Sequence, residues 1–114
     1  MSEVVNKLET WGCDIKAAME RFLDDEELYE ECLQTFKEDP GFAELGKLLE
    51  TKDYKQAFDC VHTLKGVPAN LGINPLWNAL SDMTEELRAD KYDKLDDLYT
   101  VIQACYSKFC EIVG

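Results

Sequence analysis

The sequence predicts an all-α fold, an up-and-down antiparallel four-helix bundle with a short extra N-terminal helix. Three observations carry this. Apolar residues recur at steps of three and four along almost the whole chain, no stretch alternates apolar and polar residues as a half-buried strand would, and the connections between periodic segments are short. With 114 residues, 46% of them hydrophobic, there is chain enough for one compact core and too little for two. Six glycines, three prolines and the absence of any low-complexity tract leave no linker. Residues 1–114 are therefore expected to form a single domain, with 1–12 as an N-terminal extension or helix and 13–114 as the core.

Each element follows from its own residues. "DIKAAMERF" opens at a capping Asp14 and sets Ile15, Ala18, Met19 and Phe22 on one face of a short helix. "DDEELYEECLQTFKED" begins with acid, which suits the positive end of a helix dipole, and aligns Leu28, Cys32, Leu33 and Phe36. Pro40 ends or bends that helix, and "GFAELGKLLETKD" continues with Phe42, Leu45, Leu48 and Leu49, read as the same rod beyond a kink. After a turn at Lys52 and Asp53, a stripe of Tyr54, Ala57, Phe58, Val61 and Leu64 marks the next helix. In "INP", Asn74 is the expected cap and Pro75 the first helical residue of a helix that turns Trp77, Leu80, Thr84 and Leu87 inward. The last helix carries Leu95, Leu98, Ile102, Cys105, Phe109 and Ile112, the seam spacing of antiparallel bundle helices.

Charge and cysteine usage exclude several functions. Twelve basic against twenty-four acidic side chains give a net charge of −12, which repels both nucleic acid and anionic membrane surfaces. The amino end mixes charge into its apolar residues, and no apolar run is long enough to cross a bilayer, so a cytoplasmic protein is expected. Cysteines 13, 32, 60, 105 and 110 are odd in number, form no CxxC pair and share the chain with one histidine, so they read as reduced core thiols rather than metal ligands or disulfides. Neither a metal nor any other cofactor is expected.

That one histidine, His62, lies one residue off the apolar stripe, at the helix margin, where its ring is reachable. Helical spacing puts Phe58, Asp59, Lys65 and Gly66 around it, with Lys65 about 5–6 Å away at Cβ. A neutral imidazole nitrogen can attack a phosphoryl group near neutral pH. Lys65 would supply positive charge to the phosphoryl oxygens on a flexible stem. Gly66, which costs on the order of 1 kcal/mol in a helix interior, would leave clearance for a bulky partner to close over the ring. Each of these residues has an ordinary reading alone: a surface histidine, a solvated lysine, a close helix contact. Together in one register they favour function.

"HTLKGVPANLG" resembles the signature of histidine-containing phosphotransfer (HPt) domains, with its His, the Lys and Gly three and four positions on, and a Leu-Gly pair after a small-residue stretch. "DIKAAMERFLDDEELYEECLQTF" resembles the family's entry into its bundle, and the likeness covers nearly everything after Trp11. The resemblance implies that His62 is the phosphoacceptor, taking its group from the aspartyl phosphate of a response-regulator receiver domain and passing it to another receiver in a multistep phosphorelay. It implies receiver domains as partners, with a hybrid histidine kinase as a further one, and leaves the receiver's magnesium to the partner. No glycine-rich phosphate loop followed by Lys-Ser/Thr is present, so the chain is expected to be a monomeric intermediary without an ATP site or kinase activity of its own.

Further positions follow from their place near His62. Phe58, Asp59, Gly66, Val67 and Ala69 are candidates for docking the receiver, and Thr84 for orienting the imidazole through its second nitrogen, although a back-bond to its own helix accounts for Thr84 as well. Gly72 reads as a left-handed helix end. Pro68 departs from the small unbranched residues or serine usual in the family. It lacks the N–H that would bond the Leu64 carbonyl, so a kink or break is expected near Gly66–Pro68. The competing reading is a helical adaptor that docks on a receiver or kinase without being phosphorylated. A hydrolase is disfavoured by the lack of a second histidine.

Overall fold

The computed structural model describes residues 2–114. Seven helices make up the described chain: α1 (Glu3–Trp11), α2 (Ile15–Arg21), α3 (Glu26–Lys37), α4 (Gly41–Glu50), α5 (Tyr54–Leu71), α6 (Asn74–Arg88) and α7 (Leu95–Val113). No strand occurs among the described residues. Acidic caps start three of them: the carboxylates of Asp14, Asp25 and Asp53 accept the N–H groups of Ala17, Leu28 and Gln56, each satisfying one of the donors a helix start leaves free. Ser2 does the same for α1 through Val5, and its own N–H and hydroxyl donate to Glu26 and Glu30, tying α1 to α3. Two short helices, α1 within residues 1–12 and α2 at the helix read from Asp14, thus precede α3.

The helices bury one continuous core. α5 packs on α4 and α6, α6 on α7, and α7 in turn on α3 and α4, while α1 and α2 lie against α7 and α5. Phe36, Phe42, Phe109 and Tyr106 join α3, α4 and α7, with Phe36 at 5.6 Å from Phe42 and 5.5 Å from Phe109 between ring centroids, and Phe42 stacked on Tyr106 at 4.0 Å. Each such aromatic pair adds about 0.5–1.5 kcal/mol beyond the area it buries. α3 and α4 are separate helices with Glu38–Pro40 between them. Asp39 accepts the Gly41 N–H there at 2.8 Å. A Cβ on Gly41 would come within 2.7 Å of Leu64, so glycine sets how closely α4 approaches α5.

The structure shifts several sequence expectations. Tyr29 fills the core where Leu28 was expected, and Leu28 is 45% exposed. α6 begins one residue early: Ile73 holds the cap position, Asn74 is already helical and no side chain caps the start. Its buried stripe is Leu76, Ala79, Leu80, Met83, Thr84 and Leu87, and Trp77 stays 38% exposed. In α7, Leu95, Ile102, Phe109 and Ile112 are buried as expected, with Leu98 and Cys105 half-buried. All five cysteines are free, Cys13 buried and the others half-buried. No helix is long and apolar enough to cross a membrane among the described residues.

The expected break near Pro68 does not occur, since α5 runs without interruption from Tyr54 to Leu71. The reason is how fully its carboxyl end is held. The Pro68 carbonyl accepts from Gly72 and Ile73. Arg21 donates to the carbonyls of Ala69 (3.1 Å) and Asn70 (2.9 Å), and the Tyr29 hydroxyl to that of Leu71 at 2.6 Å. Gly72, at φ 72°, closes the helix in the left-handed conformation, and its carbonyl accepts from Asp14 and Asn74. Pro68 is itself buried, so its ring adds to the core the helix is pinned against. One lost bond at Leu64 is small beside this set.

Candidate functional site

His62 sits in the middle of α5, flanked by buried Val61 and Leu64, and its own side chain is exposed. This is the marginal position that helical geometry assigns it. No hydrogen bond or ion pair engages its ring among the described residues. One turn before it, the half-buried Phe58 ring lies 5.8 Å away at an interplanar angle of 30°. This apolar neighbour stacks beside the imidazole, and no hydrogen bond occupies either ring nitrogen among the described residues.

The residues singled out around His62 differ in exposure. Asp59 is exposed, Lys65 and Val67 are half-buried, and Gly66 and Ala69 are exposed. A Cβ built on Gly66 meets nothing within 4 Å, so no close helix contact accounts for the glycine. Thr84 is fully buried, and its hydroxyl donates to the Leu80 carbonyl at 2.8 Å, with no hydrogen bond to His62 among the described residues. Gly72 ends the helix and has no part in the exposed face.

Two residues of α6 reach this face that sequence reasoning missed. Lys65 Nζ lies 5.9 Å from the Trp77 ring centroid, and the Arg88 guanidinium 5.6 Å from that of Phe58. Going from Lys65 back to Phe58 on α5 means going from Trp77 forward to Arg88 on α6, so the two helices run antiparallel with His62 between these contacts. Trp77 and Arg88 are eleven residues apart, three turns of one helical face. That spacing was the available signal, hidden because Trp77 was counted with the core. Arg88 also pairs with Glu85, an exposed pair of small energetic weight.

The arrangement is suited to moving a compact anion on and off the imidazole. It offers an exposed imidazole, a lysine one turn away and open space beside Gly66. It offers no group of three or more His, Cys, Asp or Glu side chains able to hold a metal ion among the described residues. Burial suppresses the thiolates of Cys13, Cys60 and Cys105. Cys13 is pushed up to about 12 by desolvation, and Cys60 to about 11 by desolvation and the nearby Glu44 and Asp39 carboxylates.

Comparison with protein-family models matches residues 3–110 to the Hpt domain. Searches of curated proteins and of solved structures find no significant match. The Hpt family implies histidine phosphotransfer within phosphorelays, by modules without kinase activity of their own. Since the match runs from the start of α1 to within four residues of the end of the chain and includes the exposed solitary histidine, the chain belongs to the Hpt domain family.

Proposed function

We propose that His62 accepts a phosphoryl group from the aspartyl phosphate of a receiver domain and returns it to the aspartate of another. The observation that carries this is a solitary imidazole, exposed and unengaged, on a helix whose far end is held by α2 and α3. In the forward step an imidazole nitrogen attacks phosphorus, the new N–P bond forms as the O–P bond of the acyl phosphate breaks, and the aspartate leaves as carboxylate. The proton on the imidazole's other nitrogen passes to water. The second receiver reverses these events. Most of the catalytic contribution is positioning and charge stabilisation, and Lys65 supplies positive charge on this side of the interface.

Phe58, Asp59, Gly66, Val67 and Ala69 form the docking surface in this reading, with Gly66 providing clearance above the ring. Four rods, α3 with α4, α5, α6 and α7, make an up-and-down bundle, and the protein works as a cytoplasmic monomer. It acts as an intermediary, taking its group from a receiver or from the receiver of a hybrid kinase. Incubation with a receiver domain charged with labelled acetyl phosphate tests the reading. Acid-labile, base-stable label should pass to the wild-type chain and not to His62→Gln. Binding without labelling of the wild type would instead make this an adaptor.

A further inference from the structure

We propose that Trp77 is a positioning residue for Lys65: its ring holds the ammonium beside His62 and yields it to the phosphoryl group once that group is on the imidazole. This rests on His62 being the phosphoacceptor. The starting observation is a cation without its usual partner. The chain has 24 acidic side chains, yet the ion pairs among the described residues are Lys7–Glu3 and Arg88–Glu85, and no carboxylate pairs with Lys65. Its Nζ lies instead over the Trp77 ring, 5.9 Å from the centroid and within cation–π range.

Core filling does not explain Trp77. Leu76, Ala79 and Leu80 supply the buried face of that part of α6, and the indole remains 38% exposed. Its contact with Lys65 gives the ring a role. Lys65 is half-buried, so its stem lies along the protein surface and brings the head to the ring. It stands three residues beyond His62, a rise of about 4.5 Å along α5, and the same stem can turn back to a phosphoryl group on the imidazole.

An aromatic rest differs from a carboxylate in what it leaves behind. A carboxylate would neutralise the ammonium and repel the incoming phosphoryl oxygens. The ring does neither. An exposed cation–π contact is worth about a two- to five-fold preference in position, and a charge-assisted hydrogen bond to a phosphoryl oxygen is stronger. Lys65 is therefore placed before the group arrives and is free to follow it afterwards, which leaves the Trp77 ring without its cation in the phosphorylated state.

Phosphoramidate serves as probe, because it is small enough to act without a docked receiver. The imidazole nitrogen displaces ammonia from phosphorus, the N–P bond to the ring forming as the donor's P–N bond breaks, and the departing nitrogen takes the proton. Trp77→Leu should slow loading of His62 about two- to five-fold, have no further effect in a Lys65→Ala background, and be largely restored by Trp77→Tyr. In a Trp11→Phe protein, where Trp77 is the sole tryptophan, loading should change the indole emission, and Lys65→Met should abolish that change.

Two measurements need no change at Trp77 and so survive a variant that fails to fold: this emission change, and the Lys65 ε-methylene resonance, expected upfield from the ring current. Slowing by Trp77→Leu that is the same with and without Lys65 would make Trp77 merely structural and overturn the proposal. So would an emission change insensitive to Lys65→Met, or an unshifted ε-methylene. Any of these with receiver-dependent labelling of His62 intact would leave the phosphoacceptor assignment standing, whereas loss of that labelling in the wild type would remove both.

Discussion

Gly66 offers a substitution whose effects on stability and on transfer should point in opposite directions. In the interior of α5 a glycine costs about 0.5–1 kcal/mol relative to alanine, because its backbone loses more freedom on folding. Nothing in the structure opposes its replacement: a Cβ there meets no atom within 4 Å, and no positive φ is found at this position. Gly66→Ala should therefore stabilise the fold by about 0.5–1 kcal/mol, a rise in Tm of roughly 2–6 °C for a domain of this size. Gly66→Leu should keep most of that gain, since leucine is also a good helix former and its Cβ meets nothing within 4 Å. At a docked interface the same side chain becomes a wedge. Overpacking of about 1–3 kcal/mol lowers transfer from a receiver by about 5- to 150-fold. Loading by phosphoramidate, which needs no docking, should be unchanged. Thermal unfolding and the two phosphorylation assays read all three quantities. Receiver transfer at the wild-type rate in Gly66→Leu would refute the clearance argument, as would an equal loss with phosphoramidate.

Other perturbations test how α5 is held and where burial matters. Gly72→Ala places a Cβ 2.5 Å from the Asp14 carbonyl oxygen at φ 72°, so denaturant titration should show a loss of about 1–3 kcal/mol; an unchanged midpoint would mean the turn relaxes freely. Tyr29→Phe removes the donor to the Leu71 carbonyl and should cost about 1–3 kcal/mol, with transfer unchanged at temperatures where the protein stays folded. The Cys13 thiol stays protonated to about pH 12 in the folded chain against 9.0 for an unburied thiol. The unfolded state then binds fewer protons above pH 9, so stability should be intact below pH 9 and fall from there towards pH 12. Tyr29, raised by desolvation, acts in the same direction. Cys13→Ala should make that decline shallower, and an identical slope in both proteins would contradict the assignment.

Much of this was legible in the sequence because helical periodicity and capping are local. Asp14 caps the helix expected of it, Asp53, read from the sequence as a turn residue, caps α5 as well, and the α7 stripe falls as its spacing requires. His62 is exposed because Val61 and Leu64 take the core positions around it. The errors arose where two neighbours could both face inward. Leu28 precedes Tyr29, and Leu76 precedes Trp77; periodicity alone does not choose within such pairs, and the choice falls to packing between helices. Tyr29 goes inside because its hydroxyl finds the Leu71 carbonyl there. Trp77 stays out, against Lys65, a contact between residues twelve apart on different helices that no local pattern announces. Pro68 leaves α5 unbroken for a related reason. The cost of a mid-helix proline is local, while the compensation comes from Arg21 and Tyr29, 47 and 39 residues earlier in the chain.

The proposed function reduces to one atom-level event, the attachment of phosphorus to a nitrogen of His62. Mapping the modified residue decides it most directly. After the wild-type chain is mixed with a charged receiver, it would be digested under alkaline conditions that preserve phosphoramidate bonds, and the phosphopeptide fragmented to locate the group. The prediction is a single phosphorylated site at His62, with none in the His62→Gln protein. A phosphoryl group on any other residue, or an unmodified wild-type peptide beside a receiver that has discharged, would contradict it.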